Sequence, residues 1–422
     1  MNATPSVIAA SLAPAREPRR RWRLPVAAFG PGLVVMLADT DVGSIVTAAQ
    51  SGAQWGYKLL ALQLLLVPLL YVVQELTVRL GIFTGKGHGE LIRETFGATW
   101  AWVSVGGLAV AAFGAIVTEF SGVAGVGELF GVPRNWSLAL ATAFLLVVVW
   151  TGTYRRVERV AIALGLFELA FVWVALHAPV RPAALLEGLR HVPLHDYGYW
   201  YLVAANIGAV IMPWMVFYQQ SAVTDKKLRP SDYAAARWDT ALGALLTQVV
   251  MAAVLVVAAA ALATTGSPIP LTSVAQMVHA LVPTLGVTLG RTLFGLGMLG
   301  AAMVAAIVVG LAVAWGFGEV SGYRHSLEHR PLEAPWFYAI FSAAVIGGAL
   351  LVGVVPDLVA LAVAVEVMNA LLLPLVLGLL VLLAAKALPA ERRLRGAYLW
   401  FVVAVVGVLS VLGVYGGLSG AA

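Results

Sequence analysis

Eleven mostly apolar stretches, each near the roughly 20 residues that a helix needs to cross a bilayer, constrain this chain more than any other feature. They run over residues 26–51, 57–80, 100–130, 135–152, 156–177, 198–222, 234–264, 286–318, 336–354, 356–385 and 396–418. Apolar residues occupy every face of the implied helices rather than one stripe, the pattern of helices surrounded by lipid. Of the 422 residues 61% are hydrophobic and 11% charged, against about 25% charged in a soluble domain. No water-soluble fold hides that much apolar surface, and a bilayer removes the need to hide it. The expected fold is an all-α membrane protein of eleven transmembrane helices. Turns at Gly131–Pro133, Gly152, Pro179–Pro182, Ser267–Pro270 and Pro356 separate the spans. The chain has no cysteine, so disulfides, thiolate ligands and iron–sulfur chemistry are excluded.

The basic residues test the span count independently, because cytoplasmic loops collect Lys and Arg. With the N-terminus cytoplasmic, the inside set begins with Arg16, Arg19, Arg20, Arg21 and Arg23. It continues through Arg79, Lys86, Arg93, Arg155, Arg156, Arg159, Lys226, Lys227, Arg229 and Arg237 to Arg324, Arg330, Lys386, Arg392, Arg393 and Arg395. The outside set is only Lys58, Arg134, Arg181, Arg190 and Arg291. The net charge of +5 is therefore topological and calls for no nucleic acid. The first apolar run continues through Gly30-Pro31-Gly32 to Asp39 and Asp41, which reads as a retained span rather than a cleaved signal. These observations predict a multi-pass protein of the inner (plasma) membrane, with the N-terminus cytoplasmic and the C-terminus outside.

The first and sixth segments share an oddity. Each is interrupted midway, the first at Asp39-Thr40-Asp41-Val42-Gly43-Ser44 and the sixth at Gly208-Ala209-Val210-Ile211-Met212-Pro213. Proline removes a helical hydrogen bond and glycine relaxes the backbone. Interrupted helices at matching places in two halves point to an inverted-repeat transporter with its site between them. The implied division is a cytoplasmic tail over 1–25, one five-helix repeat over 26–177, a second over 198–385, and an eleventh helix over 396–418.

A charge in the hydrocarbon costs at least about 2.5–3.5 kcal/mol on insertion scales, so each one needs a reason. Asp41 can cap the second half-helix and bind a cation as well, one oxygen for each. Asp39 reads either as a second site carboxylate or as a buried proton acceptor. Met212 either fills space or offers a thioether that favours Mn²⁺ or Fe²⁺ over Mg²⁺ or Ca²⁺, and the carbonyl of Ala209 offers a hard oxygen. Glu119 lies midway along the third span. Glu366 and Asn369 share a face of the tenth at i, i+3. Each reads as an ion-path or proton-relay group, or as a neutral group bonded to a neighbouring helix. Gln74, Glu75, Glu168 and Asp239 fall near expected span ends or helix contacts and read as structural. His88, His325, His329, His177, His191 and His195 lie in loops without zinc-like spacing and read as solvated. The Gly85-Lys86-Gly87-His88-Gly89 run has no preceding strand and no following Ser or Thr, so it is not a phosphate loop. No Gly-x-Ser-x-Gly nucleophile motif occurs, and no enzyme activity or cofactor is expected.

Several of these stretches resemble the NRAMP divalent-metal transporters. They are Gly30-Pro31-Gly32 through Asp41-Val42-Gly43-Ser44, Gln50-Ser51-Gly52-Ala53-Gln54-Trp55-Gly56-Tyr57-Lys58, Arg79-Leu80-Gly81 with Thr84-Gly85-Lys86, Thr118-Glu119, and Ala209-Val210-Ile211-Met212-Pro213. The resemblance implies the leucine-transporter type of fold, with ten helices in two inverted repeats plus an eleventh. It implies a metal site at Asp41, Ala209 and Met212. The family's asparagine ligand is here Ser44, and its proline after the aspartate is Val42. The histidine after Met-Pro, tied to proton movement, is Trp214, and a second sixth-span histidine is missing near Tyr218 and Gln219. The third-span acid is Glu119, and the next acidic position is Gly122. These departures are closer to the NRAMP-related magnesium transporters, while Met212 pulls toward transition metals.

The expectation is a secondary carrier of Mn²⁺ and/or Mg²⁺ working by alternating access, with proton coupling weak or absent. A proton- or sodium-coupled amino-acid carrier of the same fold is the first alternative, against which Asp41 would repel a carboxylate substrate. A non-transporting sensor on a transporter scaffold is the second, against which the chain has no large soluble domain. The expected partners are the divalent ion and the lipid bilayer. No oligomeric state follows from the sequence, and a monomer is compatible with it.

Overall fold

The computed structural model describes residues 29–262, 271, 276, 286–353 and 358–419. The expectations for the tail 1–25, for residues 26–28, for the span ends at 263–264, 354 and 356–357, and for the turns at Ser267–Pro270 and Pro356 lie outside the described residues. The first span is two helices, α1 (Pro31–Asp39) and α2 (Val42–Trp55), bent by 49° at their junction. Then come α3 (Leu60–Thr84), the short α4 (His88–Phe96), α5 (Ala98–Leu129) and α6 (Arg134–Thr151). The fifth span joins α7 (Tyr154–Gly165) to α8 (Leu169–Leu176) through a 3₁₀ turn, Leu166–Glu168. After the short α9 (Pro182–Arg190), the sixth span is again double, α10 (Tyr197–Val210) and α11 (Pro213–Asp225). The rest are α12 (Tyr233–Leu262), α13 (Val287–Ser321), α14 (Pro335–Val352), α15 (Leu358–Lys386) and α16 (Gly396–Ser419).

Among the described residues ten helical spans are long and apolar enough to cross a membrane, or eleven with the bent pair as one span. Proline and glycine mark their ends as their backbone preferences dictate. Pro31, Pro182, Pro213 and Pro335 sit in first turns, where a missing N–H is harmless. Gly85 and Gly322 close α3 and α13 at φ 68° and 82°, the left-handed conformation that side chains resist. The α4 and α9 helices, nine residues each and too short to span, were not among the expected elements.

Burial separates an inner bundle from an outer ring. The most apolar windows of the sixth span and of α13 are 89% buried, while those of α6 and α16 are 22% buried and face outward. The α5 and α13 helices pack side by side, α12 lies against α1, α2 and α3, and α15 lies against α2 and α10. Both interruptions thus sit inside the bundle, walled by α5, α12 and α15.

Every buried charged side chain among the described residues is acidic, and several have structural duties. Asp239 of α12 accepts the N–H groups of Gly30, Gly32 and Leu33 at 3.0, 2.7 and 3.2 Å, satisfying the open N-terminus of α1. Glu75 pairs with Arg79 at 2.7 Å and Glu158 with Lys226 at 2.7 Å. Glu319 of α13 accepts the Ser221 hydroxyl at 2.5 Å and the Gly89 N–H at 2.8 Å. A carboxylate therefore occupies the N-terminus of α4, where a phosphate would sit in a phosphate loop. The reading of His88 as solvated is corrected, because this side chain is fully buried. Its Nδ1 lies 3.0 Å from Gln220 Oε1, whose amide nitrogen donates to the Lys86 carbonyl at 3.0 Å. Burial pushes the imidazole down to about 4, so at neutral pH it is an uncharged clamp between α4 and α11.

Candidate metal site

The junction between α1 and α2 is built around Asp41. This residue is extended (φ −75°, ψ 177°), and its Oδ1 accepts the Ser44 N–H at 2.7 Å, capping α2. Its Oδ2 is buried and has no hydrogen-bond partner. Ser44 then ties this junction to the other one, its hydroxyl donating to the Ala209 carbonyl at 2.8 Å. At the second junction Met212 is extended (φ −100°, ψ 146°), and Pro213 opens α11. The two interruptions meet, as the sequence pattern predicts.

Two further helices bring acids to the same place. Glu119 of α5 accepts the Val42 N–H through Oε2 at 3.2 Å, while its Oε1 has no partner. Glu366 of α15 accepts from Asn369 Nδ2 at 2.9 Å, leaving Glu366 Oε1 and Asn369 Oδ1 without partners. Two glycines allow this approach. A Cβ on Gly43 would stand 2.0 Å from Glu366 Oε1, and one on Gly208 would stand 1.8 Å from the Glu366 carbonyl oxygen. Among the described residues no three His, Cys, Asp or Glu side chains converge on one metal position. A cation held here would therefore need neutral donors beside the carboxylates.

The departures from the family pattern fall into contact with one another. A Cβ on Gly122 would stand 2.3 Å from Val42 Cγ2, so the branched Val42 fills the room left by the missing acid. Trp214 is fully buried, and its indole N–H donates to the Met212 thioether at 3.0 Å. Asp39 engages α12 instead, its Oδ2 accepting from Thr247 at 3.2 Å while Oδ1 has no partner.

Glu168, read from the sequence as structural, lies in the 3₁₀ turn of the fifth span, fully buried, with neither carboxylate oxygen bonded. Thr40 and Asp39 are its neighbours. The Thr40 and Thr247 hydroxyls lie 2.8 Å apart, and Thr247 lies 3.2 Å from Asp39 Oδ2. The signal available in the sequence was a lone acid within an apolar segment, a pattern that marks function in membranes by default.

Residues 32–419 match the family described as Nramp, natural resistance-associated macrophage protein-like. The chain belongs to the Nramp family. It is 29% identical over 320 residues to the divalent metal cation transporter MntH of Chromohalobacter salexigens, covering 72% of this chain and 73% of that one. MntH of Klebsiella pneumoniae is 29% identical over 328 residues, 76% of each chain. In structure the chain is similar to the manganese transporter of Eremococcus coleocola, with a TM-score of 0.74 at 19% identity over 94% of this chain and 87% of that one. It is also similar to MhsT in complex with L-phenylalanine, with a TM-score of 0.62 at 16% identity over 95% and 100% of the two chains. These likenesses place this Nramp protein in the leucine-transporter-type fold, with two inverted five-helix repeats and discontinuous helices 1 and 6.

Proposed function

We propose that this Nramp protein is a secondary transporter of divalent metal cations, carrying Mn²⁺ and/or Mg²⁺ by alternating access with proton coupling weak or absent. The observation that carries this reading is a cluster of buried acids with no basic partner. Asp39, Asp41, Glu119, Glu168 and Glu366 are all buried around the two helix breaks, and no buried Lys or Arg among the described residues answers them. A mobile cation is the partner this arrangement lacks. The MntH relatives, named as divalent metal cation transporters, support the same class. An amino-acid substrate fits less well, since the unpaired Asp41 oxygen would face its carboxylate.

In this reading Asp41 Oδ2 is the charged ligand, Ala209 supplies a carbonyl, Met212 a thioether and Ser44 a hydroxyl, with Asp39 a second carboxylate beside them. Glu119, Glu366, Asn369 and Trp214 line the ion or proton path. The repeats are residues 26–177 and 198–385, the N-terminus is cytoplasmic, and the C-terminus lies outside the plasma membrane. Uptake of Mg²⁺, Ca²⁺, Mn²⁺ and Fe²⁺ into proteoliposomes tests the proposal, and failure to move any of them would overturn it.

Trp214 belongs to the selectivity of this site. An N–H bonded to sulfur draws on a lone pair and makes the thioether a weaker soft donor. Met212→Ala is expected to lower the preference for Mn²⁺ over Mg²⁺ by about 10-fold or more, the scale on which shell changes act in metal sites. Trp214→Phe keeps a ring but frees the sulfur, and is expected to raise that preference by about 2- to 10-fold, the worth of one neutral hydrogen bond. Competition uptake measures both ratios, and movement in the same direction would remove the sulfur from the site.

Glu168 extends the path toward α12. Glu168→Gln keeps shape and removes a buried charge, so the protein is expected to be at least as thermostable as the parent. Mn²⁺ uptake should nevertheless fall on the order of 10-fold, as for loss of a charge-assisted contact. Parental uptake in this variant would return Glu168 to a packing role.

A further inference from the structure

An apolar slot of about 410 Å³ lies between α5, α6 and α13. Val123 and Gly127 of α5, Ala141 and Phe144 of α6, and Leu299 and Met303 of α13 line it. Phe144 is 41% exposed and α6 is an outward-facing span, so the slot opens sideways into the hydrocarbon rather than into the bundle. Its upper end closes on Phe130, just past the end of α5 and next to the turn into α6. There the guanidinium of Arg291 lies over the Phe130 ring, 5.0 Å from its centroid, and its Nε is buried without a hydrogen-bond partner. Arg134, in the first turn of α6, stands at the same rim, with Nε 3.0 Å from Glu128 Oε1 and Nη1 3.4 Å from the Val352 carbonyl. An apolar channel at membrane depth thus ends in two guanidinium groups and one carboxylate, at the helix ends where headgroups lie.

We propose that this slot is a binding site for an anionic phospholipid, with one acyl chain between α6 and α13 and the phosphate at Arg291. The tail alone gains no hydrophobic free energy by leaving the bilayer, because lipid tails are as apolar as the walls. Dispersion contact with fixed walls holds it, and the choice among lipids falls to the rim. Guanidinium is planar, weakly hydrated and shaped for phosphate oxygens, and the Arg291 Nε–H has no competing acceptor. Arg134 and Arg291 together outweigh Glu128, so a headgroup with net negative charge is preferred over a zwitterionic one. A free phosphate would use the rim but not the slot, which is the difference the test exploits. Val123 is one turn from Glu119 on α5, so a bound tail bears on the helix that carries an acid of the candidate metal site.

The protein is reconstituted in nanodiscs of equal phosphatidylglycerol and phosphatidylcholine, released into detergent, and weighed by native mass spectrometry. One phosphatidylglycerol per chain is expected to stay bound, about five-fold more often than phosphatidylcholine, the preference that one net basic group confers near a membrane surface. Arg291→Gln should equalise the two lipids. Ala141→Phe, which fills the slot with a ring, should abolish retention of both while the protein still elutes as a single species. Equal retention by the parent, or a phosphatidylglycerol preference untouched by Arg291→Gln, overturns the proposal whatever becomes of Ala141→Phe. So does displacement of the lipid by millimolar inorganic phosphate, which would assign the rim to a free anion.

Discussion

Asp41→Ala is expected to abolish saturable metal uptake while leaving the protein folded. The two oxygens of this side chain have separable duties. Oδ1 caps α2 by accepting the Ser44 N–H at 2.7 Å, and losing such a cap costs about 0.5–2 kcal/mol, which a bundle of this size tolerates. Oδ2 accepts no N–H or O–H group among the described residues, has the Glu119 carboxyl as its neighbour, and is the oxygen left for an ion. An interaction of about 3 kcal/mol with a charged ligand corresponds to roughly 100-fold, and uptake should fall at least that far. Asp41→Asn is the informative companion. Its amide oxygen can still cap α2, but the charge is gone. If transport in the asparagine variant matches the parent, Asp41 is a cap and nothing more. If both variants fail while eluting as the parent does, the lost function lies with the charge.

The spans and both interruptions were legible in the sequence because they depend on local features. Length and hydropathy set a spanning helix, and Asp41-Val42-Gly43 and Met212-Pro213 cannot continue one without an exposed backbone. The Ser44 to Ala209 bridge was foreshadowed only by the family resemblance. What stayed hidden was set by contacts distant in sequence. Val42 and Gly122 are separate oddities in the sequence, yet in space one fills the gap left by the other. The bond from Trp214 to Met212 depends on a rotamer at a helix start, which no periodicity reports. His88 sits in a polar, glycine-rich loop that looks solvated, and it is buried because α11 packs its Phe217 ring 4.8 Å away. In the fifth span only Gly165, the last residue of α7, precedes the turn at Leu166–Glu168, and one glycine within an apolar run does not by itself announce a change of helix type around Glu168.

Gly208→Ala sets local propensity against packing, and the two predict opposite signs. Within an isolated helix, alanine is favoured over glycine by about 1 kcal/mol, so on propensity alone the variant would be more stable. In the bundle, the new Cβ would stand 1.8 Å from the Glu366 carbonyl oxygen and 2.8 Å from the Ala370 nitrogen. Both are backbone atoms of a helix, which cannot swing aside. The α10 and α15 helices would have to separate by more than about 1 Å, and overpacking of this kind costs typically about 1–3 kcal/mol and at times more. A lower melting temperature is therefore expected, together with loss of uptake, because the same displacement moves Glu366 and the Ala209 carbonyl relative to Asp41. Gly43→Ala separates these effects. Its Cβ would stand 2.0 Å from the end of the Glu366 side chain, which can rotate, and in ordinary contact with Asp41 Oδ1 at 3.4 Å. This variant should keep its melting temperature and lose transport through a misplaced Glu366. If Gly208→Ala proves as stable and active as the parent, α15 does not lie against the second interruption in the working protein, and Glu366 cannot act on the ion from there.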